Sequence, residues 1–348
     1  MFLCKVKTNN KMNKFTKAIA AIMLIVAAIV VAGCNKPDEP NNGGNNNSQN
    51  DSIIDPNNGG GDVPVVPVIP EGAVKGRFTI NSTGKQVYFS KGNLQYRYSN
   101  RTWRFALNQW DYLGRDNETN FATLNDWIDL FGWGTSGWNN GNTYYYPFDF
   151  YNGSMEEGFG YGPTNGISYD FNLSGVNGYA DWGVYNQISN GGSQAGLWRT
   201  LSKQEWQYLF FNRHTNSEAH FAFSKVNGVN GIILFPDDWD ASLYSINDIN
   251  TIGSYSNNII SISSWRLLED QGAAFLPAAG YRSILTVHES DHSGHYWSVT
   301  NAEDTSWGGA YSLWFYGASS ANPDPNLYID HGEARCNGLS VRLVCDVE

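Results

Sequence analysis

Two imidazoles and two carboxylates fall within five residues at His288-Glu289-Ser290-Asp291-His292, a donor set that could hold a transition metal. The helical spacing that presents two histidines to zinc is absent and the segment reads as a turn, so a solvated polar loop is the plainer expectation. Asp237-Asp238-Trp239-Asp240 offers three carboxylates in four residues, hard oxygens of the kind that bind Ca²⁺. A structural Ca²⁺ at Asp237, Asp238 and Asp240 is the cofactor expected there, and a capped turn is the alternative. Cys336 and Cys345 stand nine apart around the last strand. In extended chain they lie roughly 30 Å from each other, which suits free thiols better than a shared bond or metal. Trp133, Trp138 and Tyr144, Tyr145 and Tyr146 crowd a glycine-rich run. Aromatic faces stack on sugars, but packing against small residues in a core is the commoner use. No ordered acid, base and nucleophile emerges, so no enzyme activity is expected.

The final fifty residues alternate two textures. Gly294-His295-Tyr296-Trp297-Ser298-Val299-Thr300, Ala310-Tyr311-Ser312-Leu313-Trp314-Phe315 and Gly338-Leu339-Ser340-Val341-Arg342-Leu343-Val344 read as strands with aromatic or β-branched residues at alternating positions. Residues 301–309 and 316–337 between them are rich in Asn, Asp, Ser, Gly, Trp and Tyr, the mixture that recognition loops use. A ligand surface is expected there. Its members are Asn301, Glu303, Asp304, Trp307, Trp314 and Tyr316, followed by Asn322, Asp324, Asn326, Tyr328 and His331. Aromatic members would anchor a protein or glycan partner and the amides and carboxylates would orient it.

The elements that must hold this surface are legible upstream. Phe78-Thr79-Ile80 and Gln86-Val87-Tyr88-Phe89 flank a turn, and Trp103-Arg104-Phe105 continues the β character. Residues 221–226 and 231–235 flank Asn227-Gly228, a hairpin signal. Ser202-Lys203-Gln204-Glu205 is a capping box that opens a helix carrying Trp206, Leu209 and Phe210 on one face. A second helix is expected over 263–270, with Trp265 and Leu268 inward and Gly272 at its end. The class is α+β, with little helix and long ordered loops.

Ahead of this domain, Lys14 and Lys17 precede an apolar run from Ala18 to Ala32 that is short for a membrane span. Val31-Ala32-Gly33-Cys34 resembles the lipobox of bacterial lipoproteins, which implies a signal peptide over 1–33 (Met12 being the more ordinary start) and lipidation of Cys34. Residues 34–73 form an Asn/Gly/Pro-rich tether, and 74–348 the folded domain. Taking the five lysines before Cys34 from 22 basic residues leaves 17 against 33 acidic ones, a charge near −16. That charge disfavours nucleic acid as a partner. The expected location is the outer membrane, lipid-anchored and facing outward.

Five strings occur in one order: Gly196-Leu197-Trp198-Arg199-Thr200-Leu201-Ser202, Phe235-Pro236-Asp237-Asp238-Trp239, Phe275-Leu276-Pro277-Ala278-Ala279-Gly280-Tyr281-Arg282, Tyr296-Trp297-Ser298, and the terminal string quoted above. The chain thereby resembles Bacteroidetes surface lipoproteins with a C-type-lectin-like fold of the formylglycine-generating, sulfatase-modifying-factor type, close to the Fibrobacter major paralogous domain group. The resemblance covers residues 76–347. It implies a fold that hosts both enzymes and binders. The reactive cysteine pair of the enzymes would sit in the loop over 316–333, where this chain has no cysteine. Some members are variable proteins diversified by retroelements between a Tyr-Trp-Ser and a Ser-Val-Arg strand, and residues 301–337 look similar. Asn322-Pro323-Asp324-Pro325-Asn326 resembles the proline-centred sugar triplet of true C-type lectins. The resemblance leaves two alternatives to a binder: a metal-dependent enzyme and a structural component of a surface assembly.

Overall fold

The opening hairpin pairs Ala73–Thr79 with Gln86–Ser90, placing Phe78 opposite Val87 with both rings and branches fully buried. The computed structural model describes residues 68–118, 127–139, 146–147, 172–302, 309–319 and 323–348, all within the unit Pro64–Glu348. The expected signal segment, Cys34 and the tether up to residue 67 lie outside the described residues, as do Glu303, Asp304, Trp307, Asn322, Tyr144 and Tyr145. Leu343–Asp346 pairs with the other side of Gln86–Ser90 and with Arg199–Thr200. The last strand of the chain therefore lies inside a four-stranded sheet begun by the first.

A second four-stranded sheet holds the expected hairpin, Phe221–Val226 and Val229–Leu234. Asn227 and Gly228 turn it with φ of 50° and 82°, the left-handed pair that a two-residue connection requires. The helix Lys203–Phe211 opens on the capping box: Ser202 Oγ accepts from the Glu205 N–H at 3.2 Å, and Glu205 Oε2 accepts from the Ser202 N–H at 2.7 Å. It buries Trp206, Leu209 and Phe210 as the 3.6-residue period demands. The second helix, Ile262–Asp270, starts one residue earlier than expected because Ser261 is its cap, and Gly272 at φ 91° ends it. The described domain is thus α+β and β-rich, with few helices.

Strands Ser293–Ala302, Gly309–Tyr316 and Asn326–Ala334 form the antiparallel sheet that carries the site. Its inner face sends Tyr296, Leu313, Phe315, Leu327 and Ile329 into a core shared with Phe78, Trp206 and Phe221. Each such large apolar side chain contributes about 1.5–3 kcal/mol by leaving water. The outer face is divided. At one end Trp297 and Ala310 join a second core with Phe131, Trp133 and Trp182, and Trp297 Nε1 donates to the Phe131 carbonyl at 2.6 Å. At the other end the outer face carries the rings of His295, Trp314 and Tyr328.

Two sequence expectations fail here. Residues 326–334 belong to a strand, although their charged and polar members read as loop. The alternation is real but confined to Leu327 and Ile329, which hides it among Asn, Asp, His and Glu. The strand expected over 338–344 shortens to Leu343–Asp346, and Gly338, Leu339 and Ser340 instead make isolated bridges to Arg282, Phe131 and Tyr296. Trp133 is fully buried and donates to the Ser298 carbonyl at 2.7 Å, so it serves the core.

Candidate ligand-binding face

Side chains on neighbouring strands meet where the ladder places their Cα atoms opposite, and His295, Trp314 and Tyr328 are such a row. Their rings stack across the sheet, His295 to Trp314 at 5.7 Å and 24°, and Trp314 to Tyr328 at 5.2 Å and 18°. The row continues beyond the sheet through Tyr281, 4.9 Å from His295, and through His288, which stacks on Tyr281 at 5.2 Å. Both come from the small hairpin Tyr281–Ser283 and Thr286–His288.

His331 reaches the same face by a bulge. Tyr328 and His331 are three apart, an odd spacing that points side chains to opposite faces of a regular strand. Yet Trp314 pairs with Tyr328 while Ser312 pairs with His331, so the outer strand spends one extra residue there. That residue rotates His331 back toward Trp314, 4.5 Å away. Tyr316 lies 5.3 Å from Trp314, and Asn326 Nδ2 donates to the Tyr328 hydroxyl. Five expected site residues, Trp314, Tyr316, Asn326, Tyr328 and His331, therefore gather on one face. Asp324 is exposed just before the outer strand.

Asn301 does not belong to this surface. It is 2 % exposed, its Oδ1 accepts from Arg335 Nη2, and its N–H donates to Asn172 Oδ1 at 2.9 Å. Arg335 Nε also donates to the Gly309 carbonyl at 3.0 Å. One buried guanidinium thus ties together the two strand ends that flank residues 303–308.

The expected Asp trio does not form one site either. Asp237 Oδ2 accepts from the Thr79 N–H, the Thr79 hydroxyl and Gln86 Nε2 at 2.9, 2.7 and 2.8 Å, and Oδ1 faces Arg213 at 3.1 Å. Its oxygens pin the opening hairpin to the buried Arg213. Asp240 is turned outward and accepts from the Ser242 N–H. Among the described residues no three His, Cys, Asp or Glu side chains converge on a metal position. His288 and His292 part accordingly, His288 to the Tyr281 ring and His292 to the Ser290 carbonyl.

Glu289 stays exposed but bonds to the start of the sheet. The Ser293 hydroxyl donates to Glu289 Oε2 at 2.7 Å and lies 3.0 Å from His295 Nε2. A neutral imidazole protonated on Nε2 satisfies both contacts, a tautomer assigned from the network. Burial pushes the His295 pKa down, so the ring is uncharged at neutral pH. Contact with His295, and then the Ser293 hydroxyl, hold Glu289 ionised, with its pKa down at about 2. Glu333 is also held low. Burial alone would raise it, but His331, the Ala334 N–H and the Asn337 amide outweigh that.

Beside the stacked row runs an open groove of about 1260 Å³. Trp314, Tyr316, Glu289, Asp291, Asn230 and Tyr255 are among the residues that line it. Tyr281 and His295 were not among the site residues expected from the sequence, and Glu289 was expected there only as a member of the His288–His292 donor set. Only the tertiary fold brings the 281–288 hairpin beside the sheet, and the alternation around Tyr296 and Trp297 could have placed His295 on the outer face. No protein-family model, curated protein or solved structure matches this chain.

Proposed function

We propose that this chain is a lipoprotein of the outer membrane, anchored through Cys34, whose C-type-lectin-like domain of the sulfatase-modifying-factor type binds a protein or glycan. The fold assignment is supported by where the resembling strings fall. Each of the five strings contributes buried residues, Phe235 and Trp239 from a turn, Phe275 and Leu276 from the strand Ala274–Pro277, and Tyr296 from the inner face of the terminal sheet. The binding role rests on one observation: five expected residues converge as a ring-stacked, partly solvent-accessible face on a rigid sheet. Rigid aromatic side chains give contact area at little entropic cost, and proteins place hot spots on such anchors.

The test screens full-length protein against a displayed random-peptide library and a glycan array. For the ligand recovered, Trp314→Ala and Tyr328→Ala should each weaken affinity about 30-fold, near 2 kcal/mol, with the circular dichroism spectrum unchanged. Undiminished affinity in both folded variants removes this face from ligand binding.

A further inference from the structure

We propose that the groove beside the stacked row takes a neutral oligosaccharide, an assignment that rests on the ligand-face reading above and names the ligand's chemistry. Its volume, about 1260 Å³, exceeds the roughly 300–1,000 Å³ of pockets for compact small molecules, which suits an extended chain of several rings. Its charges cancel. Glu289 and Asp291 stand against Lys225 and Arg115, so the groove offers a polyanion or a polycation no net attraction.

What remains is a dense set of polar groups beside aromatic surface. Asp291 Oδ1 accepts from the Asn230 N–H at 2.9 Å, while Oδ2 takes no hydrogen bond among the described residues. Asn230 Nδ2 donates to the Asp291 carbonyl at 2.8 Å, and Asn230 Oδ1 is buried without a partner among the described residues. Asp291 Oδ2 is thus left as an acceptor that a hydroxyl donor can meet. Tyr316 completes the pattern. Among the described residues only Trp314 packs a ring against it, whereas Trp314 itself stacks with both His295 and Tyr328. Tyr316 is therefore the ring on which the C–H face of a sugar can lie.

The polar wall is built in advance. Glu289 and Asp291 hold φ of 55° and 61°, a region that side chains other than glycine's enter at a cost. Backbone bonds hold the turn in place, from the Asp291 N–H to the Ala278 carbonyl at 2.8 Å and from the Ser293 N–H to the Glu289 carbonyl at 3.0 Å. A wall already in its bound shape loses little entropy when a ligand arrives.

Full-length protein is titrated calorimetrically with neutral hexasaccharides of glucose, mannose and xylose and with the acidic hexamer of galacturonate. At least one neutral hexasaccharide should bind, the acidic one at least tenfold more weakly, and Tyr316→Ala and Asp291→Asn should each weaken the neutral one tenfold or more. Melting curves of both variants establish that they fold, and Tyr316→Phe should retain binding because the ring persists. Binding of the acidic hexamer alone overturns the proposal, as does neutral binding indifferent to both Tyr316→Ala and Asp291→Asn. Recovery of a peptide ligand that needs Trp314, with no hexasaccharide bound, overturns the saccharide assignment and leaves the ligand face standing. Absence of any ligand dependent on Trp314, Tyr316 or Tyr328 overturns both.

Discussion

Replacing Asn301 separates its structural role from the ligand role its sequence suggests. Arg335 is 1 % exposed and donates to the Asn301 side chain and the Gly309 carbonyl, with its guanidinium 4.5 Å from the Trp133 ring. Asn301→Ala removes one acceptor from a buried cation. A hydrogen bond to a charged group contributes about 1.5–3 kcal/mol, and water cannot readily replace it here. We expect a loss near 2–3 kcal/mol, about 4–12 °C in Tm for a domain of this size, read by thermal unfolding followed with circular dichroism. Asn301→Asp keeps an acceptor in place and should recover most of that loss. Affinity for any ligand of the outer face should change little under conditions where the variant is folded. A melting temperature within about 1 °C of the parent, combined with lost affinity, would refute the reasoning and return Asn301 to the binding surface.

Two further outcomes follow from buried carboxyls and from the capping box. Burial raises Asp129 and Asp181 to about 6 in the folded chain from an ordinary 3.8, so between those values the native state holds protons that the unfolded chain has released. Stability from these groups is greatest at low pH and falls as pH rises from about 4 to about 6, by at most about 3 kcal/mol each. Urea unfolding of the parent and of Asp181→Asn at pH 4, 5, 6 and 7 should show their difference shifting against the parent across that window, and a pH-independent difference contradicts the assignment. Ser202→Ala removes the acceptor for the Glu205 N–H and should cost about 1 kcal/mol in the same assay. A negligible change would mean that packing of Trp206, Leu209 and Phe210 alone fixes the start of that helix.

Local signals in the sequence were read correctly where they are self-contained. Ser202 with Glu205, Asn227 with Gly228, and the alternation around Leu313 and Phe315 each specify their element within a few residues. Five of the eight residues of the candidate face follow from the same reasoning, because Trp314, Tyr316, Asn326, Tyr328 and His331 are polar or aromatic neighbours in one stretch. The rest depends on events the local pattern does not encode. The bulge at Ile329 and Asp330 brings His331 to the face of Tyr328, reversing what strict alternation implies. Arg335 captures Asn301 from 34 residues away, and Glu289 leaves the expected histidine cluster to meet Ser293 and His295. Asp237 shows the same limit in reverse. Its carboxylate looks like a cation ligand in sequence, yet long-range donors from Thr79, Gln86 and Arg213 occupy it.

Hydroxyl-radical footprinting of full-length protein, free and with its recovered ligand, tests the ligand face most directly. Side chains that a partner covers lose oxidation, and mass spectrometry reads the loss residue by residue. Protection should concentrate at Trp314, Tyr316 and Tyr328. Protection instead at another exposed aromatic patch, such as Tyr179 and Tyr185, with those three unchanged, would contradict it.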